Sequence, residues 1–158
     1  MKRKLIIGLM SLSVFFGGFH TAYAQTEVLN SYRKNTIHGS LGTLLLLNTA
    51  NVFYDRIITE SKGYNKFTTF VRAGYNSFYA VSIAGPEHED LFTLEGGMLL
   101  GGGFSHFEAA VGGTIYDIQK ILPAFSLAYR GQRPGKGFMF RGGIGTPEFI
   151  FVGMGYSF

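Results

Sequence analysis

The sequence predicts an all-β protein, an eight-stranded antiparallel up-and-down transmembrane β-barrel, and three observations predict it. Eight segments of strand length are separated by short runs rich in Gly, Pro, Asn and Asp. Within them, a face of large apolar residues alternates with a face of Gly, Ala, Ser and isolated charges. The chain also opens on an export leader: a basic "MKRK", an apolar "LIIGLMSLSVFFGGF" and an "AYA" cleavage site before Gln25.

The leader sets the compartment. Residues 1–24 are expected to be a cleaved signal peptide, handled by the Sec pathway. Their apolar stretch is shorter than the ~20 residues a spanning helix needs. With Lys2, Arg3 and Lys4 gone, 11 basic residues face 10 acidic ones. The computed pI of 9.4 therefore reflects the leader, and charge gives no reason to expect a nucleic-acid partner. There is no Cys, which excludes disulfides, Cys metal sites and lipid anchoring through a Cys.

Residues 25–35, "QTEVLNSYRKN", read as a short polar periplasmic lead-in, loosely held, and residues 36–158 as the barrel. The strands are expected at about 36–46, 51–59, 66–78, 91–101, 105–116, 121–131, 137–145 and 149–158. In the third, Phe67, Thr69, Val71, Ala73 and Tyr75 oppose Arg72, Gly74 and Asn76. In the fifth, Phe107, Ala109, Val111, Gly113 and Ile115 oppose His106, Glu108, Ala110, Gly112 and Thr114. The sixth sets Phe125, Leu127 and Tyr129 against Ser126, Ala128 and Arg130. The seventh sets Phe138, Phe140, Gly142 and Ile144 against Met139, Arg141, Gly143 and Gly145. The eighth sets Ile150, Val152, Met154, Tyr156 and Phe158 against Gly153, Gly155 and Ser157.

A soluble sandwich buries its apolar faces and wets its polar ones. Here the polar faces are too small and too sparsely charged for a wetted surface. They suit the interior of an eight-stranded barrel, which has room only for side chains. An even strand count lets the barrel close, strands of about 9–11 residues cross a bilayer when tilted, and closure leaves no edge in lipid. The last strand, running to Phe158, is thus expected to pair with the first. By the same parity Asp55, Glu95 and Glu108 face inward with Arg72, Arg130 and Arg141, three acids against three bases, as structural lumen ion pairs.

At this point a family resemblance enters. The ending "GYSF" resembles the closing-strand signal of Gram-negative outer-membrane barrels, which implies that Tyr156 and Phe158 are read by the barrel-assembly machinery. "NTIHGSLGT", "FVRAGY", "SHFEAAVGG" and "LPAFSLAYRGQRPGKGFMFRGGIGTPEFIFVGMGYSF" resemble small exported barrels of undefined function, of the OmpA/OmpX type. The resemblance covers the whole mature chain and implies a barrel in the cell outer membrane, in contact with its lipid. It implies no activity, because fold is not function.

Three sets of residues bear on chemistry. His38 and Ser40 in "HGS" share a face, and a His-x-Ser pair resembles the lipid A deacylases, themselves eight-stranded barrels with a Ser–His–acid set; no acid is assignable to the pair here. His106 and Glu108 share a face, and "GPEHED" holds Glu87, His88, Glu89 and Asp90 on a surface loop, but neither spacing specifies a metal. The Gly runs at 101–103 and 142–145 precede no helix and so are not phosphate loops. The leading expectation is a monomeric outer-membrane barrel with a structural or interaction role, a plugged lumen, no cofactor and no metal. Any protein or ligand contact would come through the loop at 79–90. The alternatives are a deacylase-like, lipid-modifying barrel enzyme and a soluble, lipocalin-like binder of apolar ligands.

Overall fold

The computed structural model describes residues 32–60, 66–82, 85–117 and 120–158; the expected signal peptide and most of the expected lead-in lie outside them. Eight strands follow in order: β1 (Asn35–Leu44), β2 (Leu47–Glu60), β3 (Lys66–Ser82), β4 (Gly85–Gly102), β5 (Ser105–Asp117), β6 (Lys120–Gln132), β7 (Phe138–Thr146) and β8 (Phe149–Ser157). Each pairs antiparallel with its sequence neighbour, and β1 pairs with β8 to close the barrel. The closing ladder runs from Thr36↔Ser157 to Thr43↔Ile150. At its end the backbone of Phe158 meets that of Asn35 twice, at 2.8 and 3.1 Å.

The parity read from the sequence is the parity of the barrel. Val111, Val152, Met154 and Leu41 are about two-thirds exposed, whereas Arg72, Arg130, Arg141, Glu108 and Asn76 are fully buried. The molecule is inside-out by the standard of a water-soluble core, in which charged side chains are seldom fully buried unless paired. The interior fills by matching glycines to rings. A methyl on Gly74 would lie 2.0 Å from the Phe53 ring, and one on Gly97 would lie 2.4 Å from the tip of Phe70. The two glycines are the gaps into which those phenylalanines pack.

Three layers stack along the interior. An apolar cluster of Tyr32, Ile57, Phe70, Leu99 and Ala110 occupies the end near Phe158. The charged layer follows. Toward the opposite end lies a polar chain in which Asn76 Nδ2 donates to Asn51 Oδ1 at 2.8 Å and Thr93 donates to Asn76 Oδ1 at 2.6 Å. Thr93 also meets Thr114 at 2.9 Å.

Three boundaries differ from the sequence expectation. The first hairpin turns at Leu45–Leu46, inside "LLLL", and not at "NTAN", which belongs to β2. Thr49 and Asn51 are buried on its inner face, where Asn51 Nδ2 donates to Ser40 Oγ at 3.2 Å. On the outer face the Thr43 hydroxyl donates to Asn48 Oδ1 at 3.0 Å across the hairpin, so the polar run is strand with cross-strand partners. Leu45 takes a φ of 56°, a left-handed position that glycine normally fills. The described residues of 79–90 are not a loop either. β3 and β4 stay paired from Tyr79↔His88 to Ser82↔Gly85, so Glu87, His88, Glu89 and Asp90 stand on a strand. Tyr79 stacks on His88 with centroids 4.7 Å apart, and the Tyr116 hydroxyl donates to Glu89. Cross-strand side-chain pairs hold together an arm whose composition alone reads as turn. Finally, the lead-in is not loose up to residue 35: Tyr32 is buried and β1 begins at Asn35.

Candidate functional site

The charged layer is the densest chemistry in the molecule, and strand register builds it. Asp55, Arg72 and Glu95 stand directly opposite one another on β2, β3 and β4. Arg72 binds Asp55 through Nε at 2.7 Å and Nη2 at 3.1 Å, the two-point geometry that a guanidinium fork favours. The same side chain reaches Glu108 at 2.9 Å and Glu95 at 3.3 Å. Arg130 Nη1 lies 2.7 Å from Asp55 and 3.3 Å from Glu108. Its Nε donates to Gln132 at 2.9 Å.

Arg130 and Arg141 face each other across β6 and β7, a repulsive placement that needs acids beside it. Glu108 supplies one, 2.9 Å from Arg141 Nη2, in a contact too oblique to be a hydrogen bond. Glu148 supplies the other, accepting from Arg141 Nη1 at 3.0 and 2.9 Å. Aromatic faces complete the guanidinium environment: the Arg141 charge centre lies 4.2 Å from the Phe151 ring centroid, and that of Arg72 lies 5.0 Å from the Phe70 centroid.

Glu148 was not among the residues read from the sequence. It sits in "TPE", between β7 and β8, where strand parity assigns no face, yet it is buried. Its presence changes the charge count. The layer holds four carboxylates, Asp55, Glu95, Glu108 and Glu148, against three arginines, before the histidines are counted.

His38 and Ser40 lie inside on β1, but each is bonded to a different partner and not to the other. His38 Nε2 faces Asp55 at 3.2 Å, and its Nδ1 has no hydrogen-bond partner. The Ser40 hydroxyl donates to Glu148 and accepts from Asn51 Nδ2 at 3.2 Å. A serine nucleophile requires an imidazole at its oxygen. Here each residue has a carboxylate of its own and neither contacts the other, so the geometry is that of packing and charge pairing.

His106 and Glu108 likewise part company. Glu108 belongs to the arginines, while His106 Nδ1 faces the Arg130 carbonyl at 3.3 Å and Nε2 meets the Tyr32 hydroxyl. A carbonyl only accepts, so Nδ1 carries the proton and Nε2 accepts from the phenol. Burial, with Glu60 nearby, pushes the Tyr32 phenol above its ordinary pKa, which keeps it a donor. The Tyr32 backbone N–H donates to the Glu60 carboxylate at 3.3 Å. Tyr32 thus seats the segment before β1 against the end of the barrel. Tyr32→Phe keeps the ring and removes this hydroxyl bond to a buried imidazole. It is expected to cost about 1–2 kcal/mol, read as a lower urea midpoint with an unchanged slope.

No family model, curated protein or solved structure matches this chain.

Proposed function

We propose that the chain is a monomeric, integral β-barrel of the Gram-negative outer membrane with a structural or interaction role, exported with a cleaved signal peptide. The single observation that carries this reading is the inversion of polarity. Val52, Leu94, Val111, Ile144, Val152 and Met154 point outward and exposed around the closed barrel, while the charges point in. A contiguous apolar belt of this kind is not stable against water, and lipid is the solvent that rewards it. Closure supports the same reading, because a barrel leaves no unpaired strand edge for lipid to meet. Tyr156 on the closing strand and Phe158 directly after it are the expected signal for the assembly machinery, and the paired arm at 79–90 is the place for a protein contact.

The stacked apolar, charged and polar layers leave the interior to side chains, and the barrel is therefore a closed one rather than a pore. They also disfavour a lipocalin-like role, since an apolar ligand among Arg72, Arg130 and Arg141 would strand their charges. The experiment is extraction and migration. The mature protein is expected to stay with membranes through alkaline carbonate, to migrate differently on gels before and after boiling, and to give no large steady conductance in planar bilayers. Complete release by carbonate would refute the membrane assignment, and a large stable conductance would refute the closed lumen.

A further inference from the structure

The outer surface is electrically lopsided, and the basic end carries a groove. Around the rim that bears Tyr32 and Phe158, Arg33, Lys34, Arg56, Arg133 and Lys136 form an arc over the neighbouring strands β2, β1, β8, β7 and β6. The links are physical: Ile57 N donates to the Lys34 carbonyl at 2.8 Å, and Arg33 donates to the Ser157 carbonyl at 3.0 Å. Ser157 N donates to the Gly137 carbonyl at 2.6 Å. The one acid described along this rim, Glu60, is engaged by the Tyr32 N–H. Half-buried Glu89 and exposed Asp90 lie at the other end.

Between the β4–β5 turn and the β6–β7 loop lies an open groove of about 450 Å³, lined by Phe104, Arg133, Lys136, Gly137 and Phe138. Its cations stand over an aromatic floor: the Arg133 charge centre is 5.7 Å from the Phe104 ring centroid, and Phe104 packs on Phe140 at 5.7 Å. Exposed Phe138 and Tyr129 continue that floor into the apolar belt.

Resting on the membrane reading above, we propose that this groove is a binding site for an anionic phospholipid of the leaflet on the Tyr32/Phe158 side. Arg133 and Lys136 take the headgroup phosphate, and Phe104 and Phe138 take the upper acyl chain. Basic residues at a membrane surface attract anionic lipid. The aromatic floor is what selects a lipid over a free anion, because inorganic phosphate uses the two cations and leaves the rings exposed. The rest of the arc supplies the field that concentrates anionic lipid around the groove.

The test uses the mature protein reconstituted in vesicles of phosphatidylcholine with a minor fraction of phosphatidylglycerol, the retained lipids being read by native mass spectrometry. The expected result is enrichment of phosphatidylglycerol adducts over phosphatidylcholine. The enrichment should fall about fivefold for each cation removed in Arg133→Gln and Lys136→Gln. Lys120→Gln at the far end should leave it unchanged. Insertion with equal retention of both lipids, or an enrichment that survives the Arg133→Gln/Lys136→Gln double variant, overturns this site alone. Failure to insert into vesicles of either composition overturns the membrane reading and the lipid site with it.

Discussion

Glu108→Ala is expected to destabilise the barrel by about 3–5 kcal/mol. Glu108 is fully buried and stands within 2.9 Å of Arg72, 2.9 Å of Arg141 and 3.3 Å of Arg130. Removing it takes away the one acid that all three guanidinium groups share, leaving Arg72 and Arg130 crowded on Asp55 and Arg141 on Glu148. Burial is the reason the cost is large, since water cannot re-solvate charges that the strands enclose. The arginines themselves are not spare. A Glu108→Ala/Arg141→Met double variant removes one charge of each sign, and its cost should be below the sum of the two single costs. Additive losses in urea unfolding would show that the contact carries no coupling.

The charge count supplies the internal control. Four carboxylates share three arginines; Glu95 and Glu148 each contact one, and Glu95 does so through the longer contact, to Arg72 at 3.3 Å against 2.9 Å between Glu148 and Arg141. Glu95→Gln keeps the shape and removes a carboxylate that touches one arginine at long range, where Glu108 touches three. It should therefore cost well under 1 kcal/mol, against the large loss at Glu108. Equal losses at the two positions would mean that the layer responds to volume and not to charge.

How much of this was legible beforehand follows from how each residue announces itself. The alternation in "HFEAAVGG" and "FVRAGY" is strict because one face meets packed side chains and the other does not, so period and parity carried the barrel and the inner positions of Arg72 and Glu108. Glu148 was hidden for the complementary reason. It follows Pro147 in a turn, where no period applies, and only the closure of β7 on β8 turns it inward to Arg141. Tyr32 was hidden in a polar segment whose composition says nothing about the His106 imidazole it reaches. The arm at 79–90 was misread because Gly, Pro and acids mark turns on average. In this chain Tyr79, His88, Tyr116 and Glu89 provide pairs that keep the strands together. The separation of His38 from Ser40 is likewise a matter of partners: sharing a face placed both inside, and Asp55 and Glu148 then drew them apart.

Val111→Arg is the substitution that separates a barrel in lipid from a barrel in water. Val111 lies in the middle of β5, more than two-thirds exposed, opposite Phe125 on β6 and Gly96 on β4. If the belt faces hydrocarbon, an arginine near the bilayer midplane costs about 2–4 kcal/mol. In water an exposed Val→Arg change falls within about ±0.5 kcal/mol. The neighbouring position serves as the control. Ala110 points inward, and its cross-strand partner Ser126 carries a buried hydroxyl with no hydrogen-bond partner. Ala110→Ser places a second hydroxyl opposite it, so the added polarity meets an unused one and the variant should be close to neutral. Measured by urea unfolding in phospholipid vesicles, the pair is expected to differ by at least 1 kcal/mol, with Val111→Arg the weaker. The same comparison at a rim position should shrink, because Arg56 already stands outward there, level with Asn35 at the start of β1. A Val111→Arg protein as stable as wild type in vesicles would mean that the apolar belt is not lipid-facing at this height, and the exposed valines and methionines of β5 and β8 would then require a protein partner to cover them.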